Sequence, residues 1–137
     1  MKHVIAVAVL ISTLALFAVA QNKETKPAQS AAESWLALVD QAKYAESWDT
    51  ASTIFKGAVT KQKWDEMVKA VRPPLGDVVS RKFMSAQYTT SLPGVPDGDY
   101  VVIEYDTTFK NKKSAVETVT PMLDTDGQWH VAGYTIR

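Results

Sequence analysis

YVVIEYDTTFKNKKSAVETVTPML, residues 100–123, is the stretch on which the fold turns. Val101, Ile103, Tyr105, Thr107 and Phe109 alternate with Val102, Glu104, Asp106 and Thr108, and a second alternation runs through Ala115, Glu117, Val119 and Pro121. A period of two marks strands with one buried and one solvated face, and the short polar connection between the runs makes them an antiparallel hairpin. A slip of one residue would exchange the faces, so the register can be argued. A three-residue loop, Asn111-Lys112-Lys113, pairs Thr107 with Glu117, Tyr105 with Val119, Ile103 with Pro121 and Val101 with Leu123. A two-residue loop would set Asp106 against Glu117, and opposed like charges are destabilising.

Working outward, Thr125-Asp126-Gly127 reads as a second three-residue loop with Gly127 left-handed, pairing Leu123 with Trp129 and Pro121 with Val131. Pro121 has no N–H for the ladder, and Gly133 marks an irregularity that brings Tyr134 and Ile136 onto the apolar face. Before this hairpin pair, Val78 to Thr90 reads as a first strand. The Pro- and Gly-rich connector from Leu92 to Gly98 is loop. The four strands are Val78 to Thr90, Tyr100 to Phe109, Ser114 to Asp124 and Gln128 to Ile136.

The preceding half is helical. Ser30 can cap a helix from Ala31 to Lys43 with Trp35, Leu36, Leu38, Val39 and Ala42 as its apolar stripe. Tyr44 to Lys56 places Trp48, Ala51, Ser52 and Phe55 at helical spacing before Gly57. Thr60 can cap a third helix that Pro73-Pro74 stops after Arg72. Three N-terminal helices on one face of a curved four-stranded antiparallel sheet make an α+β layer fold.

Residues 1–20 read as an export signal. Lys2 precedes an uncharged run from Val4 to Val19, and Ala18-Val19-Ala20 is a small-residue cleavage pattern, so cleavage is expected between Ala20 and Gln21. The run is shorter than a typical spanning helix, so no stable membrane anchor is expected after cleavage. Residues 21–30, QNKETKPAQS, read as a flexible linker, and 31–137 as the single domain. These features set the protein in a periplasm or outside the cell.

Composition narrows the chemistry. The 137 residues contain no cysteine, with 15 basic and 15 acidic side chains. That removes disulfides, thiolate nucleophiles and cysteine-ligated metals. No basic cluster offers a footprint for nucleic acid. His130 is the one histidine beyond the signal, and no second histidine accompanies it to build a zinc site.

The sequence resembles the DUF4019 family of exported bacterial proteins of unknown function. The resemblance rests on Glu33-Ser34-Trp35, Ser47-Trp48-Asp49, Arg72 with Pro74-Leu75-Gly76, Leu92-Pro93-Gly94 with Pro96-Asp97-Gly98, Glu117-Thr118-Val119-Thr120-Pro121-Met122, and Asp126-Gly127 with Gly133-Tyr134. The predicted architecture resembles the NTF2-like, or cystatin-like, arrangement. The family implies an exported setting and no particular activity.

Glu117 is the candidate for catalysis, because the register sets a carboxylate on the helix-facing side, where it is either a general base or the ion-pair partner of Arg72, Arg81 or Lys110. Arg72 and Arg81 could clamp an anion, and Tyr105 and Trp129 could line a ligand pocket beside core packing. Glu104 and Asp106 read as the solvated side of their strand, and Asp124-x-Asp126-Gly127 as a hairpin turn rather than a calcium loop. No cofactor or metal is implied. The expected function is a non-catalytic binding or interaction module whose partner is another protein, a second copy or a small amphipathic ligand. The alternative is a small acid-base enzyme using Glu117 in a pocket between helices and sheet.

Overall fold

The computed structural model describes residues 25–137. The expected signal and residues 21–24 lie outside that range. The described chain runs through four helices and then four strands: α1 (25–40), α2 (Tyr44–Asp49), α3 (Thr53–Ala58), α4 (Lys61–Leu75), β1 (Val78–Thr89), β2 (Tyr100–Phe109), β3 (Lys112–Leu123) and β4 (Trp129–Ile136). This general arrangement is consistent with an NTF2-like helix-and-sheet module.

Four helices rather than three precede the sheet. The expected Tyr44 to Lys56 helix is broken in two because Ser52 leaves the helical conformation and its side chain accepts a hydrogen bond from Phe55 N, which starts α3 afresh. At the other boundary Thr60 caps α4 as expected, accepting from Lys63 N. Pro73 and Pro74 lie inside the last turn of α4 rather than beyond it, and Gly76 ends the helix at φ 79°.

Helix α1 also differs from its predicted span. Residues 25–30, expected in the linker, are helical, and Ala28 is as buried as Ala32. Ala28, Ala32, Trp35, Leu36 and Val39 form one continuous stripe at spacings of four, three, one and three. The polar composition of 21–30 hid this, because a single small alanine is enough to extend the stripe by one turn. The helix stops at 40 instead of Lys43, where Ala42 turns left-handed at φ 59° and Lys43 N donates to Leu38 O.

The strands are hydrogen-bonded in the order β1-β2-β3-β4, all antiparallel, leaving β1 and β4 as free edges. The expected curvature is corrected with the helix count: the sheet is open and neither closed nor strongly curled. Four strands are too few to wrap a core on their own, and the helices cover the inner face instead. That face carries Val101, Ile103, Tyr105, Thr107, Phe109, Ala115, Glu117, Val119, Pro121 and Val131, all buried.

The β2–β3 register differs from both alternatives considered. The loop is Lys110-Asn111, Phe109 faces Lys112, and one extra residue on β3 before Ala115 shifts the ladder. Thr107 therefore faces Ala115, Tyr105 faces Glu117, and Asp106 faces Val116. The expected Thr107–Glu117 pair is displaced by two residues, which preserves every face. The β3–β4 register holds as expected, with Leu123 opposite Trp129, Pro121 opposite Val131 and Gly127 at φ 78°. Between Thr120 and Pro121 the ladder slips, so Val119 faces Tyr134 and Glu117 faces Ile136, and the Tyr134 ring turns inward onto Trp35 with centroids 5.1 Å apart.

The β2–β3 loop docks on the end of α4. Asn111 N donates to Leu75 O and its side chain to Pro74 O, while Lys110 N donates to Asp77 O. The two Asn111 bonds serve carbonyls that a helix end leaves without internal donors. A Cβ on Gly76 would lie 3.0 Å from Lys110 Cβ, so this close approach and the positive φ both require glycine.

Candidate functional site

Three of the predicted site residues converge on one charge cluster that is buried at Glu117 and Arg72 and reaches the surface at Asp40. Glu117 is 0% exposed. Its Oε1 accepts from Arg81 Nε at 2.8 Å and Thr107 Oγ1 at 2.6 Å. Its Oε2 accepts from Arg81 Nη2 at 3.3 Å and from the Tyr134 hydroxyl. Arg81 also donates from Nη1 and Nη2 to Asp40 at 2.8 and 3.0 Å, and Arg72 Nη2 donates to Asp40 Oδ1 at 3.0 Å. The cluster ties α1 and α4 to β1, β2, β3 and β4 through side chains alone.

Sequence period explains each position. Asp40 follows Leu36 and Val39 at the end of the α1 stripe, and Arg72 follows Val68 by four residues on the buried side of α4. Arg81 faces Thr107 across the β1–β2 ladder, and Thr107 lies diagonal to Glu117 across β2–β3. Asp40 and Tyr134 are the members that the sequence reading did not assign to the site. The Gly133 irregularity was the signal that could have found Tyr134, since it alone decides which way that ring points.

Electrostatics follow from the contacts. Burial alone would raise the Asp40 carboxyl, but the hydrogen bonds and charges of Arg81 and Arg72 outweigh it and hold it below the usual carboxylate range. Burial likewise opposes the Arg81 charge, yet its bonds and charge interactions with Asp40 and Glu117 hold the guanidinium more firmly protonated than usual. The Tyr134 hydroxyl is pushed up by burial, then by the charge and hydrogen bond of Glu117. The Tyr105 hydroxyl is pushed up to about 12, by burial first and the charge of Glu33 second.

Tyr105 joins the cluster by position but not by bonding, since its buried hydroxyl has no hydrogen-bond partner. Arg72 is 6% exposed, stacks its guanidinium carbon 5.0 Å from the Phe109 ring, and leaves Nε and Nη1 buried without an acceptor.

Arg72 also lines a groove of about 290 Å³ between α4 and β4, with Trp64, Met67, Val68, Val71, Tyr134 and Ile136. A second opening of about 200 Å³, bounded by Val39, Asp40, Tyr44 and Gly76, also reaches Arg72. Trp129 is remote from this cluster. It lines a third groove, about 180 Å³, with Trp35, Leu38 and His130. Glu117 lines none of the three.

The other tryptophans are anchored through their indole nitrogens, Trp48 Nε1 donating to Val59 O. Trp35 Nε1 donates to Ser47 O and Trp64 Nε1 to Ser47 Oγ, which itself donates to Tyr44 O. His130 bridges Thr50 O at 3.0 Å and Asp126 Oδ2 at 2.7 Å. Among the described residues, no group of three or more His, Cys, Asp or Glu side chains is placed to hold a metal ion. No described helix is long and apolar enough to cross a membrane.

A family model for a protein of unknown function, DUF4019, matches residues 31–134. The chain belongs to the DUF4019 family. Comparison with curated proteins and with solved structures returns no match. In this DUF4019 domain three of the phrases that carried the resemblance come together through Tyr134, which bonds Glu117 and lines the groove with Arg72.

Proposed function

We propose that this DUF4019 chain is an exported, non-catalytic binding module that holds a small amphipathic ligand in the groove between α4 and β4. The observation that carries the reading is that groove. Met67 and Val71 are 50% and 49% exposed on its lip, although their neighbours Trp64 and Val68 are buried in the core. Exposed apolar side chains gathered at a concave site are the usual mark of ligand or partner contact.

The acid-base alternative has less support. A general base needs a free lone pair within reach of its substrate, and Glu117 accepts from Arg81, Thr107 and Tyr134 beneath the helices. The space between helices and sheet is occupied by the packed side chains of Trp35, Leu36, Val39, Ile103 and Val119. Export itself rests on the Ala18-Val19-Ala20 pattern.

Two measurements test the proposal. Amide chemical-shift mapping with a panel of small amphiphiles should move residues of α4 and β4, and a panel that moves neither element sinks the binding reading. Intact-mass analysis of the protein from its native envelope should give an N-terminus at Gln21, and recovery of the uncleaved chain from membranes refutes export by cleavage.

A further inference from the structure

Of the two arginines in the cluster, Arg72 is the one whose donors are not all in use. Arg81 is bonded by two carboxylates, Asp40 and Glu117, whereas Arg72 makes a single bond to Asp40, which it shares with Arg81. Its Nε and Nη1 are buried and without acceptors. The Phe109 ring covers a face of the guanidinium, but a ring face gives no in-plane acceptor for N–H bonds. Buried donors are paired in folded proteins with few exceptions, and an exception calls for an explanation. The same side chain lines the apolar groove behind Met67 and Val71.

We propose that the α4–β4 groove binds a single-chain amphipathic carboxylate, its apolar tail laid along Trp64, Met67, Val71 and Ile136 and its carboxylate bonded to the unpartnered nitrogens of Arg72. The inference rests on the binding reading above and adds the ligand's charge and shape. An ionised oxygen makes a stronger hydrogen bond to a guanidinium than an alcohol or ether does, and two Arg72 N–H groups without acceptors favour a head group that accepts over a cation that cannot. The nitrogens are closed to bulk water, so the head group reaches them by moving lip side chains. Met67, unbranched and half exposed, is the side chain best suited to give way. A slender chain with a compact head fits this entry, and a groove of about 290 Å³ lies at the small end of ligand pockets.

The test is a set of NMR titrations of the mature protein with octanoate, octan-1-ol and octyltrimethylammonium, three probes with one tail and different heads. Octanoate should bind in the groove at least about tenfold more tightly than octan-1-ol, and the cation most weakly. Val71→Asp, at an exposed position where folding is not at stake, should weaken octanoate at least about tenfold through charge repulsion at the lip. Arg72→Met, checked for a native amide spectrum, removes charge and donors and should bring octanoate and octan-1-ol within about twofold of each other. Equal affinities of octanoate and octan-1-ol for the native groove overturn the carboxylate assignment while leaving the binding reading intact. Shifts confined to other elements, or no shifts with any probe, overturn both.

Discussion

Two clusters of charge tie helices to sheet in this molecule, and they are built on opposite principles. One is the set of Glu117 and Arg72, both buried, with Arg81 partly buried between them and Asp40 at the solvent-facing rim. The other is the clasp at the β3–β4 turn, where Asp124 accepts from Thr53 N and Thr53 Oγ1, and His130 bridges Asp126 and Thr50 O, while Ser52 N donates to Val131 O alongside. In the first set, charges satisfy charges, and taking away one partner leaves another stranded in low dielectric. In the clasp, side chains satisfy backbone groups at a helix start, and water can replace each of them. The same number of polar bonds therefore means different things at the two sites.

The largest break in that contrast is Arg81→Met. It keeps length and removes the guanidinium that binds Glu117, so urea unfolding should show a loss of about 3–5 kcal/mol. Adding Glu117→Leu should restore a good part of it, because replacing both partners by apolar groups removes the stranded charge. A single variant that melts like the parent would falsify the buried cluster as a structural tie. Tyr134→Phe removes one bond to a buried carboxylate, and a loss of about 1.5–3 kcal/mol is expected in the same assay. At the clasp, Asp124→Ala takes the acceptor from the first N–H of α3, which is worth about 1 kcal/mol on the scale of helix caps. Tyr105→Phe removes a buried hydroxyl that has no partner, so stability should hold level or rise by up to about 1 kcal/mol. A clear loss would mean that the hydroxyl is bonded in solution.

The smallest effect is the response of the clasp to pH. Burial tends to lower the His130 pKa, but the hydrogen bonds to Asp126 and Thr50 O and the nearby carboxylates raise it above its usual 6.5. Both ring nitrogens face acceptors, which only the imidazolium can serve as a double donor. Its contribution is therefore fully present below the unfolded value and is lost as pH rises through the folded one. The Asp126 carboxyl is lowered chiefly by its hydrogen bond to His130, so its share is lost as pH falls through its folded value below 3.8. Melting temperature followed from pH 5 to pH 9 should fall across the histidine range in the parent, and the slope should flatten in His130→Gln. Identical slopes would remove His130 from the clasp.

How far the sequence revealed these two sites depends on the kind of periodicity each uses. Glu117 was readable as a buried carboxylate because alternation fixes a face even when register is off by two, as it was. Of the three expected ion-pair partners, Arg81 bonds Glu117 directly, Arg72 joins the cluster through Asp40, and Lys110 stays exposed outside it. Asp40 escaped, because one polar residue at the end of an apolar stripe looks the same whether it meets water or two arginines. Across the molecule, His130 escaped because its acceptors come from a turn four residues away and a helix end eighty residues away, and no local pattern records such a meeting. The split of α2 from α3 was hidden by helical spacing that continues through the break at Ser52. Trp129 was read as a pocket candidate with the others, and only three-dimensional placement separates its groove from that of Arg72.

The slip at Pro121 has a consequence for how this chain tolerates changes in length. Between Val131 and Gly133, β4 carries one residue, Ala132, more than the partner strand needs, since Pro121 faces Val131 and Thr120 already faces Gly133. Excising Ala132 would straighten the ladder and leave Tyr134 and Ile136 pointing inward as they do now. Excising Thr135 would instead throw Ile136 to the outer face, because no spare residue is there to absorb the change. Position 132 is thus a natural slack point, where a one-residue deletion is absorbed within a strand that would otherwise transmit it as an inversion of every side chain downstream.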